Sequence, residues 1–270
     1  MIKENKKIVN IIHNNNPRSK ETSIILEKTL NQYGYIVSDE FDNNAILNIC
    51  IGGDGAFLRA VHKYGFPYIP FIGVNTGHLG FFHEITPERI HNFVECFSKG
   101  KYKLEDIYLA EAIVCTRTSC IELVGVNEIV IKGIDSKVIH LDVSIEDDLL
   151  ERFSGDGLIV STPSGSTAYN LSAGGSIVYP SLKTLQLTPL CPINSKAYRS
   201  LLNSVIIPDG MTIRVNPEYR DENTVLIIVD GNQINCDNVV EISFKLSDMT
   251  LRRLTLDSQS FWAKVKDRFI

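Results

Sequence analysis

No run of five like charges, no stretch of about twenty apolar residues and no Cys-x-x-Cys pair occurs along these 270 residues. Without a charged block there is no polyelectrolyte tail. A net charge of -5, from 27 basic and 32 acidic side chains, disfavours broad attraction to nucleic acid or an anionic membrane. A nucleotide ligand stays open, because phosphates are often held by backbone N–H groups and a few local cations. Without a long apolar run no membrane span is expected, and the stretch from Met1 to Asn16 has neither a long apolar core nor a small-residue cleavage site. The cytoplasm is the expected compartment. The six cysteines (Cys50, Cys96, Cys115, Cys120, Cys191 and Cys236) lie far apart with no histidine at zinc spacing. They are expected as reduced thiols, with Cys50 a small buried hydrophobe. The six histidines, His78 among them, have no partners at ligand spacing and read as structural or solvated, so no metal ligand is named.

What is present suits a folded globular chain: 44% hydrophobic and 22% charged residues, at a length that predicts two domains or one core with a large appended sheet. Over residues 1–100, short apolar runs alternate with helix-like stretches, the pattern of parallel strands with covering helices. Lys7 to His13 reads as a strand and Pro17 to Gln32 as a helix closed by Gly34. Ala45 to Ile51 is a doubly buried strand running into Gly52-Gly53-Asp54-Gly55. Ala56 to Tyr64 reads as a helix, Ile69 to Val74 as a strand, and Thr86-Pro87-Glu88 opens a helix that Gly100 ends. Residues 101–254 read as mainly antiparallel β structure, with strands at Glu122 to Ile131, Val138 to Glu146, Leu158 to Thr162, Thr224 to Asp230 and Val239 to Lys245. Residues 255–270 read as a helical segment packing back, with Phe261, Trp262, Val265 and Phe269 on one face. The expected fold class is thus an α/β, Rossmann-like N-terminal domain with a parallel sheet, an all-β sandwich-like C-terminal domain and a returning C-terminal helix.

Three clusters carry chemistry. Glycines between a buried strand and a helix let a backbone approach phosphates, and a carboxylate there suits a group that takes a proton from an attacking hydroxyl. Asp54 is the candidate base, with Arg59 one helical turn on as a phosphate contact. A tight turn with a solvated Arg59 accounts for the same residues. The second cluster runs from Phe153 through Gly155-Asp156-Gly157 to Gly175, where hydroxyls and glycines surround an apolar strand. Such hydroxyls can bond nucleoside edges while Tyr169 stacks, though polar loops have a similar composition. The third is Asn127-Glu128 inside the apolar stretch Val124 to Ile131, two polar residues that need partners if buried. There is no GxxxxGK[ST] loop, Gly53-x-Gly55 lacks the third glycine of a dinucleotide fingerprint, and Ser164 and Ser166 do not fit GxSxG.

In order and spacing, Gly52-Gly53-Asp54-Gly55, Asn75-Thr76-Gly77-His78-Leu79-Gly80-Phe81, Asn127-Glu128, Gly155-Asp156-Gly157 and Ser161 to Gly175 resemble the bacterial NAD kinase family, from about Ile51 to Gly231. The resemblance implies transfer of the terminal phosphate of ATP or polyphosphate to the 2′-hydroxyl of the adenosine ribose of NAD, giving NADP. It implies a divalent cation, Mg²⁺, on the donor phosphates, and homodimers or homotetramers. Matched residue by residue, Asp54 would accept the proton and Gly55 and Arg59 would lie by donor phosphates. Asn127 and Glu128 would bind ribose or donor groups. Asp156, Ser164, Thr167, Ala168, Tyr169, Asn170, Leu171 and Ser172 would line the dinucleotide site, with Phe81 near the adenine. Two departures stand out: Ser154 where relatives often carry arginine, and Asn232 before Gln233 where a glutamine often follows the Asp230-Gly231 pair. Lipid or sugar-phosphate kinases would share the Gly-Gly-Asp-Gly turn without needing the hydroxyl cluster. A non-catalytic dinucleotide sensor would bind without turnover, and a dehydrogenase would need the missing fingerprint.

Overall fold

The computed structural model describes residues 7–77, 80–196, 199–218, 224–256 and 260–270. His78 and Leu79 of the expected motif, and Asp257 of the expected helix, lie outside them. The chain divides into one unit of residues 1–106 and 251–270 and a second of residues 107–250.

The first unit begins with β1 (Ile8–His13), α1 (Pro17–Gln32), β2 (Ile36–Val37), β3 (Leu47–Gly52), α2 (Asp54–Lys63), β4 (Phe71–Asn75), β5 (His83–Ile85) and α3 (Ile90–Ser98). Helix α1 forms over the residues expected: Asn16 caps it, accepting from the Arg18 N–H at 3.0 Å, and Pro17 occupies the first turn, where its missing N–H costs nothing. All strand pairs here are parallel, in the order β2-β1-β3-β4-β5. Alternation along β4 sorts its side chains between two faces. Ile72 and Val74 join Ile49 and Ile51 in a core completed by Leu26 and Leu30 of α1 and Phe93 and Val94 of α3. Phe71 meets Phe57 of α2 edge-on, and Phe57 stacks on Phe82 at 4.6 Å. A Cβ at Gly73 would come within 2.6 Å of the His83 ring, so this strand position needs glycine.

Strand β6 (Lys103–Thr116) carries the chain into the second unit, which holds β7 (Cys120–Gly125), β8 (Glu128–Gly133), β9 (Ile139–Ile145), β10 (Asp148–Gly155) and β11 (Gly157–Ser161). The short helix α4 (Tyr169–Ser172) follows, then β12 (Thr184–Leu190), β13 (Val205–Pro208), β14 (Ile213–Pro217), β15 (Thr224–Val229), β16 (Asn232–Asp237) and β17 (Val239–Thr255). One antiparallel sheet runs β13-β12-β11-β8-β15-β16. Ile129, Ile131, Leu158 and Val160 from it share a core with Leu141 and Val143 of β9, Phe153 of β10 and Phe244 of β17, which makes the unit a β-sandwich. The last residues of β17 return to the first unit, where Arg253 pairs with Phe71 of β4, and α5 (Phe261–Phe269) closes the fold.

Three expectations are corrected. The single strand expected from Glu122 to Ile131 is two, because the N–H groups of Val126, Asn127 and Glu128 turn to the Asp230 carboxylate instead of continuing a ladder. Cys115 and Cys120 are not free thiols: they face each other across the β6–β7 hairpin, 4.1 Å apart at Cα, and form a disulfide. Cys50 is buried as expected, but Cys191 is exposed. On α5, Val265 is buried whereas Trp262, 58% exposed, lies off the apolar face. Among the described residues no helix is long and apolar enough to cross a membrane.

Phe57→Ala should remove about 3–5 kcal/mol of stability by leaving a cavity between Phe71 and Phe82. Trp262, the sole tryptophan and a member of the first unit, reports that loss in a urea titration by fluorescence.

Candidate functional site

Within the first unit the strand–turn–helix sequence places Asp54 at the carboxyl end of β3 and in the first turn of α2. Its carboxylate is hydrogen-bonded from four directions. Oδ2 accepts the Phe81 N–H at 2.9 Å and Arg268 Nη1 at 3.3 Å; Oδ1 accepts the Phe82 N–H at 3.1 Å and His83 Nδ1 at 3.1 Å. An ionised carboxylate offers about four lone-pair positions, so this set fills it. Burial raises the Asp54 pKa, but the hydrogen bonds from His83, Phe81 and Phe82 and the charge of His83 outweigh it and bring it to about 2. A Cβ on Gly80 would overlap the carboxylate, which is why the loop passes Asp54 on a glycine.

His83 is completely buried. Since ionised Asp54 can only accept, Nδ1 donates, and Nε2 has no hydrogen-bond partner. The Arg59 guanidinium lies over Gly55, with Nη1 3.3 Å from where a Cβ would stand. The Phe81 ring, expected near an adenine, stacks on Phe269 at 5.9 Å and lies 6.2 Å from Phe261 and 5.1 Å below the Arg268 guanidinium. Asp54, Gly55, Arg59 and Phe81 are therefore brought together, with His83 and Arg268 added.

The second unit assembles its own cluster. Asp230, in the two-residue Asp-Gly turn between β15 and β16, accepts the N–H groups of Val126 and Asn127 at 2.7 Å and Glu128 at 3.2 Å. Thr162 anchors the same segment, its Oγ1 donating to the Val126 carbonyl at 2.7 Å and accepting from the Gly165 N–H at 3.0 Å. Asn127 and Glu128 are buried, and Asn127 Oδ1 and Glu128 Oε2 have no hydrogen-bond partner. Burial, then the Asp230 carboxylate, push the Glu128 pKa up to about 8 against a hydrogen bond from the Tyr169 backbone. Ser164 and Thr167 to Ser172 follow on this loop, with Tyr169 exposed. Asn170 is buried and committed within the protein, donating to Gln186 at 2.8 Å and accepting from Thr188 at 2.6 Å. Asp156 stands apart, at the opposite end of β11 from Ser161. Ser154 is buried against His140, 2.8 Å from its Nδ1. Asn232 and Gln233 are exposed on β16.

Sequence reasoning missed His83, Asp230 and Arg268. The Asp-Gly turn between β-branched runs was a readable signal for Asp230; nothing local marked the other two. Among the described residues no three His, Cys, Asp or Glu side chains could share a metal ion, and the filled Asp54 carboxylate adds no free ligand, so these side chains do not make an ion cage. A cavity of about 540 Å³ lined by Ile46, Tyr68, Phe97, Tyr102 and Arg252 opens at the amino ends of β3 and β4, the end opposite Asp54. Ligands of open α/β sheets bind at carboxyl ends, so Asp54 marks the candidate site.

Residues 5–102 match the family model described as the ATP-NAD kinase N-terminal domain, and residues 126–249 match the ATP-NAD kinase C-terminal domain. The chain is 47% identical to the NAD kinase of Finegoldia magna over 270 residues, covering 98% of this chain and 99% of that one. It is 34% identical to the NAD kinase of Lactobacillus johnsonii, covering 97% of each. The fold is similar to that of yeast NADH kinase complexed with NADH (TM-score 0.85, 22% identity, 97% of this chain and 87% of that one). It is also similar to that of an NAD kinase from Archaeoglobus fulgidus in complex with ATP (TM-score 0.77, 22% identity, 96% and 98%).

Two titrations follow from the geometry. A depressed carboxyl pKa stabilises the fold above the ordinary value of 3.8, and that contribution is lost as pH falls toward about 2. Carbon-13 NMR of the Asp54 carboxyl should give that low midpoint, with His83→Ala moving it upward. Glu128 has the opposite sign: its raised pKa stabilises the fold below the ordinary 4.5, and this fades as pH rises through about 8. Melting temperatures measured from pH 5 to 9 should therefore fall less in Glu128→Gln than in the parent.

Proposed function

The chain belongs to the ATP-NAD kinase family, and from that membership we propose how its own residues carry out the reaction, the ATP-dependent phosphorylation of NAD. The acceptor is the 2′-hydroxyl of the adenosine ribose, and Asp54 holds it. The oxygen attacks the terminal phosphorus of ATP, the bond from that phosphorus to the bridging oxygen breaks, ADP leaves, and the hydroxyl proton passes to Asp54 Oδ2. The observation that carries this reading is the position of Asp54: an ionised carboxylate, fixed by backbone and ring donors, in the first turn of a helix whose N–H groups favour phosphate.

A pKa near 2 makes Asp54 a weak base in the ground state. In phosphoryl transfer through a loose transition state the attacking oxygen keeps its proton until late, so orientation and charge placement supply most of the acceleration. A rigid, ionised acceptor suits that task. Gly55 and Arg59 face the donor phosphates. Asn127 Oδ1 and Glu128 Oε2, buried acceptors without partners, suit ligand hydroxyls or amides. The loop holding Ser164, Thr167, Ala168, Tyr169, Leu171 and Ser172 lines the dinucleotide site, while buried Asn170 shapes it from behind. A divalent cation, Mg²⁺, would come with the donor phosphates and its own waters. Polyphosphate as a second donor, NADP as a bound product, a homodimeric or homotetrameric state and a cytoplasmic location complete the reading.

Asp54→Asn, assayed for NADP formation from NAD, ATP and Mg²⁺, should lose about 10³-fold in kcat while NAD binding by calorimetry changes little. A variant that keeps its rate would overturn the role of Asp54. An unmodified protein that binds NAD and makes no NADP would leave a dinucleotide sensor.

A further inference from the structure

Asp54 cannot accept a substrate hydroxyl while four donors fill its lone pairs, so one of them must leave. Two are backbone N–H groups of one loop, and that loop is pinned further by Arg253, which donates to the Phe81 carbonyl at 3.1 Å and to Glu105 at 2.7 Å. The third is the ring of fully buried His83, wedged beside Gly73. The fourth, Arg268, makes the longest of the four bonds, and its side chain is 38% exposed.

Helix α5 is built to let that one go. Ser260 caps it, accepting from the Ala263 N–H at 3.2 Å. Lys264 fixes its middle through an ion pair with Glu84 at 2.9 Å, with both side chains more than nine-tenths buried. Arg268 and Phe269 lie one turn beyond that anchor, and Phe269 is 41% exposed. A change of the half-exposed Arg268 side chain can therefore release Asp54 while the helix stays docked through Lys264 and Phe269.

A guanidinium released from Asp54 does not go far. It is attached one turn past Lys264 and lies over the Phe81 ring at 5.1 Å. The acceptor oxygen that replaces it bonds the same Oδ2, and the phosphorus it attacks lies about 3–3.5 Å from that oxygen. We propose that Arg268 is a catalytic residue that exchanges partners: it holds Asp54 until the acceptor hydroxyl arrives, then donates to the phosphoryl group being transferred. Its planar fork of donors matches phosphate oxygens as well as it matches carboxylate.

The inference rests on Asp54 as acceptor of the hydroxyl, so Asp54→Asn is assayed beside it. Arg268→Ala should lose about 10²-fold in kcat, the effect of removing one charged donor from a transition state, with the KM for NAD unchanged or lower because the hydroxyl no longer competes with the guanidinium. Added guanidinium ion at tens of millimolar should restore part of the rate to Arg268→Ala and none to Asp54→Asn. Arg268→Lys should fall between. Unchanged Trp262 emission in Arg268→Ala would show that α5 stays docked; if it changes, the rescue by guanidinium decides. Arg268→Ala turning over at the parental rate or faster overturns the proposal, as does a slow variant that guanidinium does not rescue. An inactive Asp54→Asn beside a fully active Arg268→Ala would sink this inference alone, whereas an active Asp54→Asn would sink the reading beneath it.

Discussion

Asp54 keeps a negative charge largely out of water, and that is possible only because donors converge on it from several elements. The charge organises the first unit around itself. The Phe81 and Phe82 N–H groups can reach it only if the loop comes close, and the loop comes close only because Gly80 has no side chain. His83 can reach it only from the first position of β5, which forces Gly73 on the neighbouring strand. Fixing the Phe81 backbone in turn presents its ring to Phe261 and Phe269, so α5 packs on a ring that the same carboxylate positions.

The second unit uses carboxylates in a contrasting way. Asp230 takes three successive backbone N–H groups and sets the path of residues 126–128. Glu128, placed by that path, is buried with one oxygen unpartnered and Asp230 close by, so its neutral form is favoured near pH 7. One carboxyl is thus held ionised by donors, and another is held protonated by burial and a like charge. The two environments drive the pKa values apart: ionised Asp54 is suited to accept hydrogen bonds, and neutral Glu128 to donate as well as accept them.

Elements governed by local rules were legible in the sequence. The helical spacing from Pro17 and the closing Gly34 marked α1, the β-branched run of β3 marked a doubly covered strand, and the change of pattern near residue 100 marked the passage to β structure. The turn bearing Asp54 was readable because its glycines fell between a buried strand and a helix and in order with the other motifs, not from the turn alone. What escaped was set by partners distant in sequence. The break between β7 and β8 depends on a carboxylate about a hundred residues on, and the Cys115–Cys120 disulfide on a hairpin register that spacing does not reveal. The side chains that pack on Phe81, those of Phe261, Arg268 and Phe269, lie at the far end of the sequence and had no local mark tying them to it. Trp262 was placed on a buried face because its hydrophobicity outweighed its position one residue off the stripe.

A carboxylate with a pKa near 2 and the role proposed for it as proton acceptor stand in apparent conflict, and the transition state resolves it. In a loose phosphoryl transfer the bond to the leaving oxygen is largely broken before the new bond forms, so the nucleophile needs little prior deprotonation. A strong base would itself be protonated for part of the time near neutral pH and could not then receive the hydroxyl. Asp54 is ionised there, and the Phe81 and Phe82 N–H groups that orient it need not rearrange when the proton arrives. Once the phosphoryl group has moved, the attacking oxygen becomes part of a phosphate ester and its proton becomes far more acidic, so even a weak base takes it. The hydrogen bonds that depress the Asp54 pKa are therefore compatible with the chemistry, because they trade basicity, which is needed only late, for a fixed position, which is needed throughout.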